Sequence, residues 1–223
     1  MILTLLIIIA GLAFFFYASY NIRANIYMYV YCKKKTDEKV VALTFDDGPD
    51  NIQTPKVLKV LKDHHIPACF FCIGNKIKGN EELIRQIVKE GHAIGNHSYS
   101  HSNLFPLFSP SQMREDLLTS QQELEKISGK PVKWFRPPFG VTNPTLAKAV
   151  RELGYTTIGW NIRTLDAQNS TPEKVLSRIR KRLVPGSIIL LHDRMPNSDT
   201  LLVEVLDLLK KEGYTVVPLE ELL

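Results

Sequence analysis

Beyond Lys35 the chain repeats one pattern, a short apolar run of strand length followed by a longer amphipathic stretch. The apolar runs fall at 40–45, 68–73, 93–95, 134–135, 156–162, 187–191 and 215–217. Between them, 54–65, 81–90, 111–128, 145–153, 171–183 and 200–212 carry apolar residues at helical spacing, as in Val57, Leu58, Val60 and Leu61. Gly91, Gly129, Gly154 and Gly213 stand where helices are commonly ended, and Pro172 stands where one commonly begins. Strands that alternate with helices pair in parallel, and strands apolar on both sides are buried on both faces. The expected fold is therefore α/β: a distorted seven-stranded (β/α) barrel, TIM-like with one unit fewer. Periodicity alone is equally satisfied by an open doubly wound sheet.

Either architecture puts its working residues just past the C-terminal ends of the strands. Asp46 and Asp47 follow the first run, His97 the third, Arg136 the fourth, and His192 with Asp193 the sixth. His97 and His101 are four apart, so one helical turn would bring both imidazoles to the same side. Two histidines and one carboxylate, with a position left for water, make the ligand set of a catalytic zinc. The Asp46-Asp47 pair offers that carboxylate. Adjacent strand residues point opposite ways, so one of the two would bind metal and the other face the water. Such an ion acidifies water, a carboxylate serves as base, and a histidine across the site, here His192, protonates the leaving group. His64 and His65 end a helix and His92 sits in a turn; all three are read as structural.

The N-terminal segment stands apart from this pattern. Residues 2–20 carry no charge and are almost wholly apolar, and about 20 such residues cross a hydrocarbon core. No small-x-small cleavage site follows, so residues 1–22 are expected to be an uncleaved transmembrane anchor, with 23–37 a juxtamembrane linker and 38–223 the catalytic domain. Arg23 and Lys33-Lys34-Lys35 after the span point to a cytoplasmic domain by the positive-inside tendency, whereas hydrolysis of a surface polymer suits the other side. The formal net charge of +5 is spread along the helices without a basic stripe or aromatic ladder, which excludes nucleic acid as the expected partner. Cys69 and Cys72 lie three apart on a strand, on opposite faces, and are read as core rather than as a redox or metal pair.

Five segments occur in a fixed order: Thr44-Phe45-Asp46-Asp47-Gly48-Pro49, His97-Ser98-Tyr99-Ser100-His101, Arg136-Pro137-Pro138-Phe139-Gly140, Asp166, and Leu190-Leu191-His192-Asp193. Together they resemble the polysaccharide deacetylase family, also called carbohydrate esterase family four or the NodB-type domain. The resemblance spans nearly all of residues 38–223. It implies that Asp46 is the general base, and that Asp47, His97 and His101 ligate a divalent metal, usually zinc. It further implies that Arg136 braces the base, that the Phe139 backbone N–H steadies an oxyanion, that His192 is the general acid, and that Asp166 orients it. Leu190 and Pro138 would line the substrate groove. Two positions depart from the family pattern. Asp166 is followed by Ala167 where many members have tryptophan, leaving Trp160 as the candidate wall of the groove, and Phe139 stands where tyrosine is frequent.

The expected activity is hydrolysis of the acetamide on N-acetylhexosamine units of a glycan, peptidoglycan or another surface polysaccharide, with release of acetate. Two rivals remain at this level. One is an amidohydrolase acting on a small non-sugar amide, which a barrel mouth closed by loops would favour. The other is a non-catalytic glycan-binding protein, which would have no need of Asp46 and His192 together.

Overall fold

The computed structural model describes residues 1–168 and 170–223. Its strands are β1 (Val40–Asp46), β2 (Cys69–Cys72), β3 (Ala93–Asn96), β4 (Trp134–Phe135), β5 (Thr156–Thr157), β6 (Ile162–Arg163), β7 (Ser187–His192) and β8 (Thr215–Val216). They pair in the order β5-β4-β3-β2-β1-β7-β6, all parallel, with β8 added against the first residues of β1. Six helices cover the outside: α2 (Gln53–Asp63), α3 (Glu81–Lys89), α4 (Pro110–Ser128), α5 (Pro144–Glu152), α6 (Pro172–Arg182) and α7 (Ser198–Lys211), while α1 (Ile2–Tyr20) stands off the N-terminus. The result is the distorted barrel expected, not an open doubly wound sheet.

The apolar run 156–162 forms two short strands rather than one. β5 and β6 are the two ends of the strand order yet neighbours in the chain, so this run crosses the seam of the barrel. Ile158 N–H donates to Phe135 O at 2.8 Å on one side, and Asn161 N–H to Ile188 O at 3.3 Å on the other. A segment from before β1 fills the remaining gap. Tyr31 N–H donates to Thr157 O, Gly159 N–H to Tyr31 O, and Lys34 N–H to Gly186 O, at 2.8–2.9 Å.

Side-chain alternation along the strands builds two layers. Val41, Leu43 and Phe45 pack outward against helix residues such as Val57, Leu61 and Val205, whereas Ala42, Cys69, Phe71, Ile158 and Ile188 fill the interior. Cys72 belongs to the outer layer and Cys69 to the inner one, as their spacing predicts, and both are free thiols. Each fully buried Leu, Ile or Phe contributes on the order of 1.5–3 kcal/mol, so these layers hold the strand ends rigidly. Capping fixes where helices begin: Ser109 and Gln112 form a reciprocal capping box on α4, and Asn143 accepts from Leu146 N–H on α5.

α1 is long and apolar enough to cross a membrane, with mean hydropathy 2.4, and its residues up to Tyr17 are exposed. Its last turn is attached to the barrel. Ala18 is buried, and Thr142 donates to Ser19 O through its N–H (2.9 Å) and to Ala18 O through its hydroxyl (3.3 Å).

Candidate active site

Asp46 is the last residue of β1, and its register partners are Phe71 and His192. The neighbouring strands thus bring the loops after β1, β2 and β7 to one rim. Arg136, fully buried just past β4, donates from Nη1 to Asp46 Oδ1 at 2.7 Å and to Thr44 Oγ1 at 2.8 Å. Its Nε and Nη2 reach Ile158 O and Gly159 O, and its guanidinium lies 4.1 Å from the centre of the Phe71 ring. A planar fork engaged through four hydrogen bonds fixes one carboxylate oxygen and leaves Asp46 Oδ2 as the free one, 3.8 Å from His97 Nε2.

Asp47 leaves the strand with φ of 72°, a left-handed conformation that an aspartate tolerates better than most residues. That turn corrects one expectation. Strand alternation would have sent the two carboxylates to opposite faces, but both line the same cavity. Asp47 Oδ1 lies 3.5 Å from His97 Nε2 and 3.2 Å from His101 Nε2; Oδ2 accepts from Arg194 Nε at 2.8 Å and lies 4.0 Å from His192 Nε2. Burial would raise its carboxyl. The hydrogen bond and charge of His97, with the charges of His101 and His192, outweigh that and hold it far below the usual carboxylate range.

A second expectation is corrected at the histidine pair. His97 and His101 meet across a compact turn, not a helical one: Ser98 and His101 both take positive φ, 67° and 45°. Ser98 Oγ accepts from His101 N–H at 2.9 Å, and the Asp116 carboxylate on α4 accepts from Tyr99 N–H at 2.8 Å and Ser100 N–H at 3.0 Å. His97 Nδ1 sits 2.8 Å from Arg136 O, so Nδ1 carries the proton and Nε2 keeps its lone pair for the cavity. Burial, with the neighbouring His97, lowers His101 to about 4 and keeps it neutral. Asp47, His97 and His101 each offer one ligand atom, all within 4.8 Å of one another. A carboxylate and two imidazoles, one with its tautomer fixed by a carbonyl, fit a divalent ion.

Across the cavity, His192 Nδ1 lies 2.9 Å from Asp166 Oδ1, while His192 N–H donates to Asp166 Oδ2 at 2.8 Å. Thr164 Oγ1 donates to Asp166 Oδ1 at 2.7 Å. Burial lowers the His192 imidazolium, but the hydrogen bond and charge of Asp166 more than reverse this and raise it above the ordinary value. The same pairing, against burial, lowers Asp166. Leu190 and Trp160, both nearly buried, and the half-exposed Phe139 line the cavity of about 220 Å3, with the Phe139 ring 4.8 Å from that of His101. Pro138 does not line it among the described residues; the chain turns it inward, and Pro137 takes that place.

The polysaccharide deacetylase family model matches residues 33–158. The chain belongs to the polysaccharide deacetylase family. It is thereby a hydrolase of the class that acts on carbon–nitrogen bonds other than peptide bonds. A peptidoglycan-N-acetylglucosamine deacetylase of Bacillus cereus is 38% identical over 203 residues, covering 87% of this chain and 93% of its own. The solved structure of PdaA from Bacillus subtilis, a family 4 carbohydrate esterase, superposes with a TM-score of 0.77 at 34% identity over 86% of this chain and 84% of that one. A family 4 pseudoenzyme from Bacillus anthracis superposes equally well, with a TM-score of 0.79 at 30% identity, over 86% of this chain and 67% of that one. A polysaccharide deacetylase fold alone therefore does not decide activity, and the weight falls on side chains.

Three of those side chains escaped the sequence reading. Asp116 lies in the middle of an amphipathic helix, where nothing local distinguishes it from a solvated acid. Arg163 and Arg194 also line the cavity. Arg194 could have been suspected from its place directly after His192-Asp193, at a strand end. His92 lies away from the metal-ligand group, buried against the Phe70 ring.

Proposed function

We propose that the chain removes N-acetyl groups from N-acetylhexosamine units of a peptidoglycan-type glycan, releasing acetate and leaving a free amine. The observation that carries this reading is the pairing of two oriented groups, Asp46 held by Arg136 and His192 held by Asp166, in the same cavity as the Asp47-His97-His101 cluster. A binding module would need neither pair.

Asp47, His97 and His101 would hold a divalent ion, and zinc suits that donor set. When bound, the ion supplies Lewis acidity, acidifying water and polarising an acyl oxygen. The free Oδ2 of Asp46 takes the proton from the attacking water. The Phe139 backbone N–H steadies charge developing on the acyl oxygen, a role for a preorganised donor. His192 Nε2, protonated because Asp166 supports the imidazolium, gives its proton to the departing nitrogen. One water is consumed, the C–N bond breaks, and acetate and amine result. Leu190 and Trp160 supply an apolar wall for the acetyl methyl group, in place of the tryptophan that Ala167 replaces. α1 serves as an uncleaved single-pass anchor, and the deacetylase relatives favour an extracytoplasmic domain.

The test is acetate release from chitooligosaccharides and peptidoglycan fragments by the full chain in detergent, with zinc added. Asp46→Asn and His192→Ala should each reduce the rate by about a hundredfold or more. Activity that survives chelation, or that ignores both substitutions, would sink the mechanism.

A further inference from the structure

The end of the anchor helix and the catalytic cavity share a wall. Ile22, Val30 and Cys32, which follow α1, pack in one buried cluster with Trp160 and Leu190, two residues that line the catalytic cavity. The two hydrogen bonds from Thr142 to the last turn of α1 fix the same junction from the other side. A second cavity, of about 180 Å3, opens between Tyr20, Asn21 and Arg23 on the anchor side and Phe139, Trp160 and Arg163 on the catalytic side. It is thus separated from the acetyl pocket only by the Phe139, Trp160 and Arg163 side chains that line both.

This junction is cationic. Arg23, Arg163 and Arg182 line the small cavity, and Arg23 and Arg182 continue with Lys33 into an adjoining cleft of about 590 Å3. No aspartate or glutamate lines either space among the described residues. None of these four cations forms an ion pair there either. Arginines gathered without counter-charges repel one another, and an anion with several oxygens relieves that repulsion through forked hydrogen bonds.

Resting on the deacetylase reading, we propose that the substrate is a glycan carried on a membrane lipid through a phosphate or diphosphate, and that Arg23 and Arg182 bind that phosphate. The order of features along the molecule matches the order of groups in such a substrate. The apolar helix lies in the bilayer beside the lipid, the arginine cleft stands where α1 ends and phosphates lie, and the acetyl pocket lies one wall further on. A polymer remote from the membrane would make no use of the arginines, and the docked anchor keeps the pocket close to the bilayer surface.

The full chain in nanodiscs of zwitterionic lipid is offered three substrates: N-acetylglucosamine on a polyprenyl diphosphate, the same sugar on a neutral dialkylglycerol, and soluble chitotetraose. The wild type should deacetylate the diphosphate lipid with kcat/KM at least about tenfold above the neutral lipid. Arg23→Gln with Arg182→Gln should bring the first down to the second and leave the neutral lipid and chitotetraose unchanged. The matched lysine pair should recover part of the preference, because charge without the fork is retained. Equal turnover of the two lipids by the wild type overturns the proposal and leaves the arginines a dock for lipid headgroups; so does a double variant that slows all three substrates alike. If chitotetraose is hydrolysed and the diphosphate lipid is not, the proposal alone falls. If none of the three is hydrolysed, the deacetylase reading falls with it.

Discussion

Asp116→Ala tests whether the histidine turn is held from outside. The carboxylate accepts from Tyr99 N–H at 2.8 Å and from Ser100 N–H at 3.0 Å, and it is itself buried. Hydrogen bonds to a charged acceptor are worth about 1.5–3 kcal/mol each, and a buried amide left without one costs about 1–3 kcal/mol. Truncation therefore puts roughly 2–5 kcal/mol of strain on the four residues from Ser98 to His101. Gly74 N–H to Ser98 O and Asn75 N–H to Tyr99 O, both at 2.9 Å, hold the same turn from the side of β2, so the loss is shared. Part of that energy will appear as global destabilisation. The rest will appear as freedom of His101 relative to His97, which weakens metal binding by about 10–100-fold, the range for partners that orient metal ligands. The assay is competition for zinc against a chelator of known affinity, paired with thermal melting and with kcat at saturating zinc. The expected result is weakened zinc binding with kcat nearly retained once the metal is restored. Asp116→Asn, which keeps one acceptor, should fall between. A variant that melts earlier but binds zinc as tightly as the wild type would refute the reasoning, because Asp116 would then support α4 and not the site.

Three further outcomes follow from the same geometry. Asp166→Asn removes the charge that raises His192, so the high-pH limb of the rate profile should move to lower pH and kcat fall by about a hundredfold; an unmoved limb would mean that His192 is not the acid. A methyl group at Gly48 would fall on the Asp193 carboxylate oxygens, so Gly48→Ala should destabilise by about 1–3 kcal/mol, read as a lowered Tm, and an unchanged Tm would show that the loop has slack. Asp193 is pushed up to about 7 by burial, although the Thr54 hydroxyl donates to it at 2.5 Å. It is protonated in the fold yet ionised in the unfolded chain between about 4 and 7, so it withdraws stability as pH rises through that window. Asp193→Asn should flatten that part of the Tm–pH curve, and an unchanged slope would assign it to other groups.

The barrel could be read in the sequence because its signals are periodic and local. Apolar runs, helix stripes, and glycines after helices each report on a few neighbouring residues, and their alternation leaves few topologies. Where the reading went astray, the deciding contacts came from distant parts of the chain. The run 156–162 looks like one strand, but it must leave β4 and join β7, and the seam splits it in two. Tyr31 and Lys34, from the segment before β1, hydrogen-bond across that same seam. Histidines spaced four apart suggest a helix, and it takes Asp116 on α4, with Gly74 and Asn75 after β2, to hold the backbone on another path.

The pair Asp46-Asp47 carries this lesson furthest. Side-chain alternation suggested that two adjacent carboxylates differ because they face opposite ways, and in fact they face the same cavity. Their difference comes from what each is bound to. Asp46 keeps the strand conformation, so its carboxylate meets Arg136, whose position depends on Phe71 and on the Ile158-Gly159 segment, two other parts of the barrel. Asp47 has turned out of the strand, with Lys76 Nζ donating to its carbonyl at 2.8 Å, and so its carboxylate swings to the histidines. Asp46 gives one oxygen to a buried cation that braces it, whereas Asp47 gives Oδ2 to Arg194 and turns Oδ1 to two imidazoles that can share an ion. Chemical inequality between neighbours therefore needs no difference in residue type, only a single change in the sign of φ at the end of a buried strand.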